Sequence, residues 1–190
     1  MTQPSSGPGA SILEAWATNN RVTTFLIERL PAAVWSAALP GAPRRTFQML
    51  AGHIHNARCM WIRTLGRPHG IVVPAQVDRR RVRRAELVRA LRRSGRGIGE
   101  LLACALAHDG RIPPTRAYTW RNLPLDAGHV LAYFVAHEGH HRGQIILAAR
   151  QLGHRLPVEI TNGVWDWTRR SEEARRYVSG RAGAGGSARG

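Results

Sequence analysis

The chain has 190 residues, enough for a single domain, and carries 28 basic against 12 acidic side chains, a net charge of +16. Every basic residue is arginine. The missing lysine excludes a Schiff base with pyridoxal phosphate or a carbonyl substrate, the phosphate-binding lysine of a P-loop and the lysine of a protein kinase. Two cysteines, Cys59 and Cys104, make no disulfide framework and point to a reducing compartment.

Residues 1–10 and 179–190 are rich in Gly, Ser and Pro and read as disordered, leaving 11–178 as a helical domain. The first predicted helix covers 12–30, with Ser11 as N-cap and Pro31 past its end. The stretch 31–45 holds three prolines and reads as loop. A second helix is expected over 46–65, ending before Gly66 and Pro68. The third spans 79–107, its apolar stripe formed by Val82, Ala85, Val88, Leu91, Ile98 and Leu102. Gly95, Gly97 and Gly99 interrupt it and predict a kink or break, since each costs about 1 kcal/mol relative to alanine.

After a loop with Pro113 and Pro114, residues 118–123 read as a short extended piece. The fourth helix runs over 126–152, with Asp126 as N-cap and Gly153 as C-cap, and a last helix covers 161–178. Strand–helix alternation and internal repeats are absent. The fold class is therefore all-α, a four-helix bundle with an additional short C-terminal helix. The most apolar runs, 101–107 and 130–136, are too short to span a bilayer, and residues 1–20 lack a secretory pattern. A cytoplasmic protein with no membrane partner is the expectation.

The charge is unevenly placed. Residues 79–96 hold nine arginines against Glu86, and 169–190 hold six against Glu172 and Glu173, which is three quarters of the net charge and is expected to lie away from the histidines. A solvated helix face is the first reading, and all-arginine usage fits a GC-rich genome. A nucleic-acid surface is the second reading, but no aromatic residue lies between Trp61 and Tyr118 to stack on bases. Positive charge also suits an anionic small-molecule substrate.

Nine histidines are a surplus, and the fourth helix holds His137-Glu138-Gly139-His140-His141-Arg142-Gly143-Gln144. His137 and His141, at i and i+4, share one face, so both imidazoles can reach one metal ion. Val130, Phe134 and Ile145 on that side direct the pair toward the core. A third ligand completes a site with an open position, and His53, in the stripe Leu50, His53, Ala57, Trp61, is the candidate. His55 is expected to face elsewhere. His140 supports the pair or replaces His137. Gln144, at i+3 from His141, can orient a ligand or substrate. Arg142 is expected to point away from the metal, and Glu138 is either a helix-surface acid or a general base.

The same run reads H-E-x-x-H, the zinc-protease signature, in which the glutamate is the base. The extended form fails, because Gln144 and Leu147 occupy the positions of its glycine and third histidine. No strands are predicted to line a peptide cleft.

The segments Leu50-Ala-Gly-His53-Ile-His-Asn-Ala-Arg58 and Val135-Ala-His137-Glu-Gly-His-His141-Arg-Gly-Gln144-Ile, 84 residues apart from His53 to His137, resemble the DinB/YfiT-like metalloenzymes over about residues 11–170. The resemblance implies an up–down–down–up bundle, a homodimer, and one divalent ion, zinc or nickel, on His53, His137 and His141. It also implies transfer of a low-molecular-weight thiol to a small electrophile. A hydrolase using metal-bound hydroxide in the open position is the alternative. The arginine-rich helix and the tail after Tyr177 match nothing in the family pattern.

Overall fold

The computed structural model describes residues 7–184 and is almost wholly helical. Helix α1 (Pro8–Arg29) starts at Pro8, whose ring suits a first turn, and stops at Leu30 before Pro31. It buries Trp16, Asn19, Val22, Thr23, Leu26 and Ile27, a spacing of three and four that makes one continuous face. The expected disorder over 1–10 and 179–190 falls mainly outside the described residues, but helix already covers 8–10 and, at the other end, 179–184.

The predicted loop over 31–45 holds a helical turn, α2 (Ala32–Trp35), and a small antiparallel hairpin, β1 (Ala38–Leu39) with β2 (Ala42–Thr46). Its turn lies at Pro40-Gly41, where Gly41 has φ +69°, a left-handed conformation that glycine adopts without strain. Helix α3 (Phe47–Trp61) follows at once. Thr46 caps it, the hydroxyl accepting from the Met49 amide at 3.2 Å. A π-turn over 62–66 and a 3-10 turn over 67–69 end this arm.

Helix α4 (Arg84–Leu106) is continuous, so the expected break is absent. Its glycines serve close packing instead. A Cβ on Gly95 would stand 2.4 Å from Asn20 Oδ1, and one on Gly97 would stand 2.6 Å from Ile62. The chain from 107 to 126 is irregular rather than extended, with one isolated bridge between Arg111 and Asp126. Helix α5 (Ala127–Gln151) is capped by Asp126, which accepts from the His129 amide at 3.0 Å. The predicted last helix is two, α6 (Val158–Gly163) and α7 (Trp167–Ala184).

Two apolar clusters fill the interior and fix the helix directions. One joins Val22–Ile27 of α1, with Leu30 just past its end, and Ile145–Ala149 of α5 with Phe47–Ile54 of α3 and Leu87–Leu91 of α4. The other joins Trp16, Val130 and Phe134 with Trp61 and Ile98–Ala105. The C-terminal halves of α1 and α5 therefore meet the N-terminal halves of α3 and α4. That is up–down–down–up, and the parallel pair α3 and α4 requires residues 70–83 to cross back along the bundle. The crossing strand is tied to α3 by His55 Nε2, which donates to the Ala75 carbonyl at 2.9 Å, and by Asn56, which exchanges hydrogen bonds with Val77 at 3.0 Å. Around the bundle α1 touches α4 and α5, α3 touches the same two, and α7 lies outside on α1. No helix among the described residues is long and apolar enough to cross a membrane.

Between the two clusters lies a buried polar layer. Arg58 of α3 grips Glu138 of α5 with two nitrogens, at 2.7 and 2.8 Å, and its third reaches Asn20 and the Leu91 carbonyl. Thr23 and Asn19 of α1 donate to Glu138 and accept from Arg142. Every member is satisfied, which a buried ionic group requires. The layer locks the rotation of α5 against α1 and α3.

Candidate metal centre

With Glu138 fixed inward, its neighbours His137 and His141 emerge at the edge of the α3–α5 seam, half-buried. His53 meets them from α3, its ring centroid 5.4 Å from that of His137 and 4.8 Å from that of His141. Among the described residues, these three offer ligand nitrogens that all lie within 4.8 Å of one another.

The pair on α5 is closer. Nε2 of His137 and Nε2 of His141 stand 3.2 Å apart. Two nitrogens bound to one tetrahedral ion at about 2.0–2.1 Å stand about 3.3 Å apart, so the pair has the spacing of a metal chelate. Nδ1 of His141 donates to Gln144 Oε1 at 2.8 Å, which leaves its Nε2 bare and directed at the site. Burial is the first cause that lowers the pKa of all three imidazoles; repulsion by His141 adds to it at His53 and His137, and repulsion by His140 at His141, and His137 is pushed down to about 4. Near neutral pH all three are uncharged, the form that binds a cation. The residues fit a borderline divalent ion such as zinc or nickel, with three nitrogens and room for another ligand.

A family model for the DinB family matches residues 1–173. The chain belongs to the DinB family. No curated protein and no solved structure matches it.

In this DinB-family chain Glu138 takes neither role expected from the sequence. It is fully buried, and burial opposes its charge, yet Arg58, Thr23 and Arg142 hold its pKa below the usual carboxylate range. It is not a surface acid, and it is not placed to act as a general base, because it is fully buried with both oxygens engaged by Arg58, Asn19 and Thr23. The H-E-x-x-H protease reading loses its base with it. Arg142 is expected to point away from the metal, and it is turned to α1, where it donates to Asn19 and Thr23. His140 is exposed and touches His141 edge-on at 5.2 Å, outside the ligand trio.

The two histidines of α3 need a correction. His55 is the core residue, fully buried, with Nδ1 3.0 Å from the Ser94 hydroxyl, while His53 is half-buried and faces the site. The charge also needs one. Arg79, which opens the arginine-rich segment, lines the same pocket as His53, as does Arg45 of β2, and both guanidinia disfavour the protonated form of His53. Tyr133 was not anticipated either; it stacks on His137 at 5.9 Å and 15°. Its position one turn before His137 was the available signal.

In front of the histidines lies a pocket of about 410 Å³, lined by His53, His141 and Gln144 with Leu39, Met49 and Leu50. That volume suits a small organic molecule. Parts of the basic segment serve the fold: Arg84 donates to the Leu30 carbonyl, and Arg92 binds Glu28 at 2.8 Å.

Proposed function

We propose that this protein is a divalent-metal-dependent transferase that joins a low-molecular-weight thiol to a small electrophile. The observation that carries the reading is the 3.2 Å separation of the His137 and His141 Nε2 atoms, with His53 closing the trio and, like His141, lining a small-molecule pocket. An ion held there supplies Lewis acidity and lowers the pKa of a thiol, which is the chemistry thiol transfer needs near neutral pH. The chain's own residues do the rest. Gln144 orients His141, Tyr133 covers one face of His137, and the pocket walls hold the reactants together. Buried Cys59 does not compete as a nucleophile, since burial pushes its thiol up to about 11.

The test is consumption of a small chromogenic electrophile by the zinc- or nickel-loaded full chain, with and without an added thiol. Strict dependence on both metal and thiol is the expected result. Consumption that needs metal but no thiol identifies a hydrolase instead and overturns the transferase reading.

A further inference from the structure

We propose that the pocket before the three histidines selects a small molecule bearing a carboxylate, which Arg45 and Arg79 bind. The inference deepens the reading above and rests on it for the identity of the site. Its basis is the make-up of the pocket wall. His53 and His141 of the metal trio, with His140 and Gln144, form one side, Leu39, Met49 and Leu50 supply apolar surface, and Arg45 and Arg79 enter from chain segments outside the four long helices. No acidic residue lines the pocket.

Unpaired arginines are common on this surface, so lack of a partner alone decides nothing. Placement does. Arg45 precedes Thr46, the N-cap of α3, and its strand pairs with β1, so the guanidinium is delivered to the mouth of the pocket by a fixed hairpin. Arg79 arrives from the crossing strand and lies directly on α3 at Gly52. A Cβ there would stand 3.1 Å from Arg79 Cγ and 3.5 Å from its Cα, so glycine next to His53 is what admits the arginine stem. Neither guanidinium has a hydrogen bond or ion pair among the described residues, in contrast to Arg58, Arg92 and Arg142.

The physical chemistry points one way. A guanidinium presents paired N–H donors that match the two oxygens of a carboxylate, and two such groups near one pocket favour an anion strongly. With a divalent ion on neutral imidazoles, no acid in the pocket lining and Glu138 neutralised by Arg58, the uncompensated charge at the pocket is positive. A ligand of this class lies with its reacting group toward His53 and His141, the two trio members that line the pocket, and its carboxylate toward Arg45 and Arg79.

The experiment titrates the zinc-loaded full chain calorimetrically with mercaptosuccinate and with uncharged 1-thioglycerol. Arg45→Gln, Arg79→Gln, their double variant and the surface control Arg89→Gln are compared, with zinc content and melting temperature read for each. The wild-type chain is expected to prefer mercaptosuccinate by roughly tenfold or more, and the double variant to lose that preference while binding 1-thioglycerol and zinc as before. An unchanged preference in the double variant overturns the inference, and so does an equal loss in Arg89→Gln, which would reflect net charge alone. Failure of the chain to take up zinc contradicts the metal reading separately. Succinate titrated into the metal-free chain then tests the arginines without it: weaker binding in the double variant supports them, and equal binding overturns them.

Discussion

Gln144 sits one turn beyond His141 and decides which nitrogen of that imidazole carries the proton. Its side chain is exposed, so a substitution tests orientation with little effect on folding. Gln144→Leu is expected to weaken metal affinity by about 10–100-fold, read by competition with a chromogenic chelator, while the melting temperature of the metal-free chain stays put. Unchanged affinity would remove Gln144 from the site. Glu138 tests the opposite kind of role. Glu138→Ala leaves Arg58 buried without its acid, and urea unfolding should show a loss of about 3–5 kcal/mol. A loss below about 1 kcal/mol would mean that the polar layer does not hold α3 against α5. The pair His137 and His141 and their partner His53 were legible from spacing, but the stripe that holds His53 was read as the core face of α3, whereas His55 is the fully buried histidine. A one-sided stripe was assumed for α3, whereas α4, α5 and the crossing strand cover it on three sides and widen its buried arc enough to enclose His55.

At the scale of elements, glycine has two meanings here that the sequence does not distinguish. In α4, Gly95 faces Asn20 and receives the Trp16 indole N–H on its carbonyl at 2.7 Å; in α5, Gly143 has nothing within 4 Å of where a Cβ would be. Gly143→Ala should stabilise the chain by up to about 1 kcal/mol through helix propensity, and Gly95→Ala should destabilise it by about 1–3 kcal/mol through overpacking. Chemical denaturation of both variants checks this, and a stabilising Gly95→Ala would contradict the close approach of α1 and α4. The four long helices were legible because their apolar periodicity is strong. The hairpin and the split of the last helix were signalled more quietly, by Pro40-Gly41 and by Asp166, whose carboxylate accepts the Arg169 amide at 3.1 Å and caps the start of α7. Such short signals lose to composition when a segment is read as a whole.

For the whole molecule, four imidazoles buried in or near the α3–α5 seam couple folding to pH. His53, His55, His137 and His141 all have pKa values lowered in the folded chain, chiefly by burial. The unfolded chain, with histidines near about 6.5, therefore binds more protons as pH falls below that value, and folding stability falls with it down to about pH 4, where His137 itself takes a proton. Glu138 acts in the opposite sense and lower down: its contribution is present above the ordinary carboxylate range and is lost as pH drops through its own lowered value. The melting temperature of the metal-free chain is expected to fall between about pH 6.5 and pH 4, and His137→Ala should flatten that slope. An equal slope in the variant would contradict the assignment. Connectivity was the least legible property at this scale. The parallel run of α3 and α4 depends on residues 70–83, which read as plain loop, so up–down–down–up came from family likeness and was then fixed by which helix halves share a core.

The central claim is a three-histidine metal centre, and its most direct test is elemental analysis of the full chain purified without an affinity tag. About one divalent ion per chain is expected, with loss of most of it in His137→Ala and in His53→Ala while both variants remain folded. A wild-type chain that takes up no zinc or nickel, or variants that retain it in full, would contradict it.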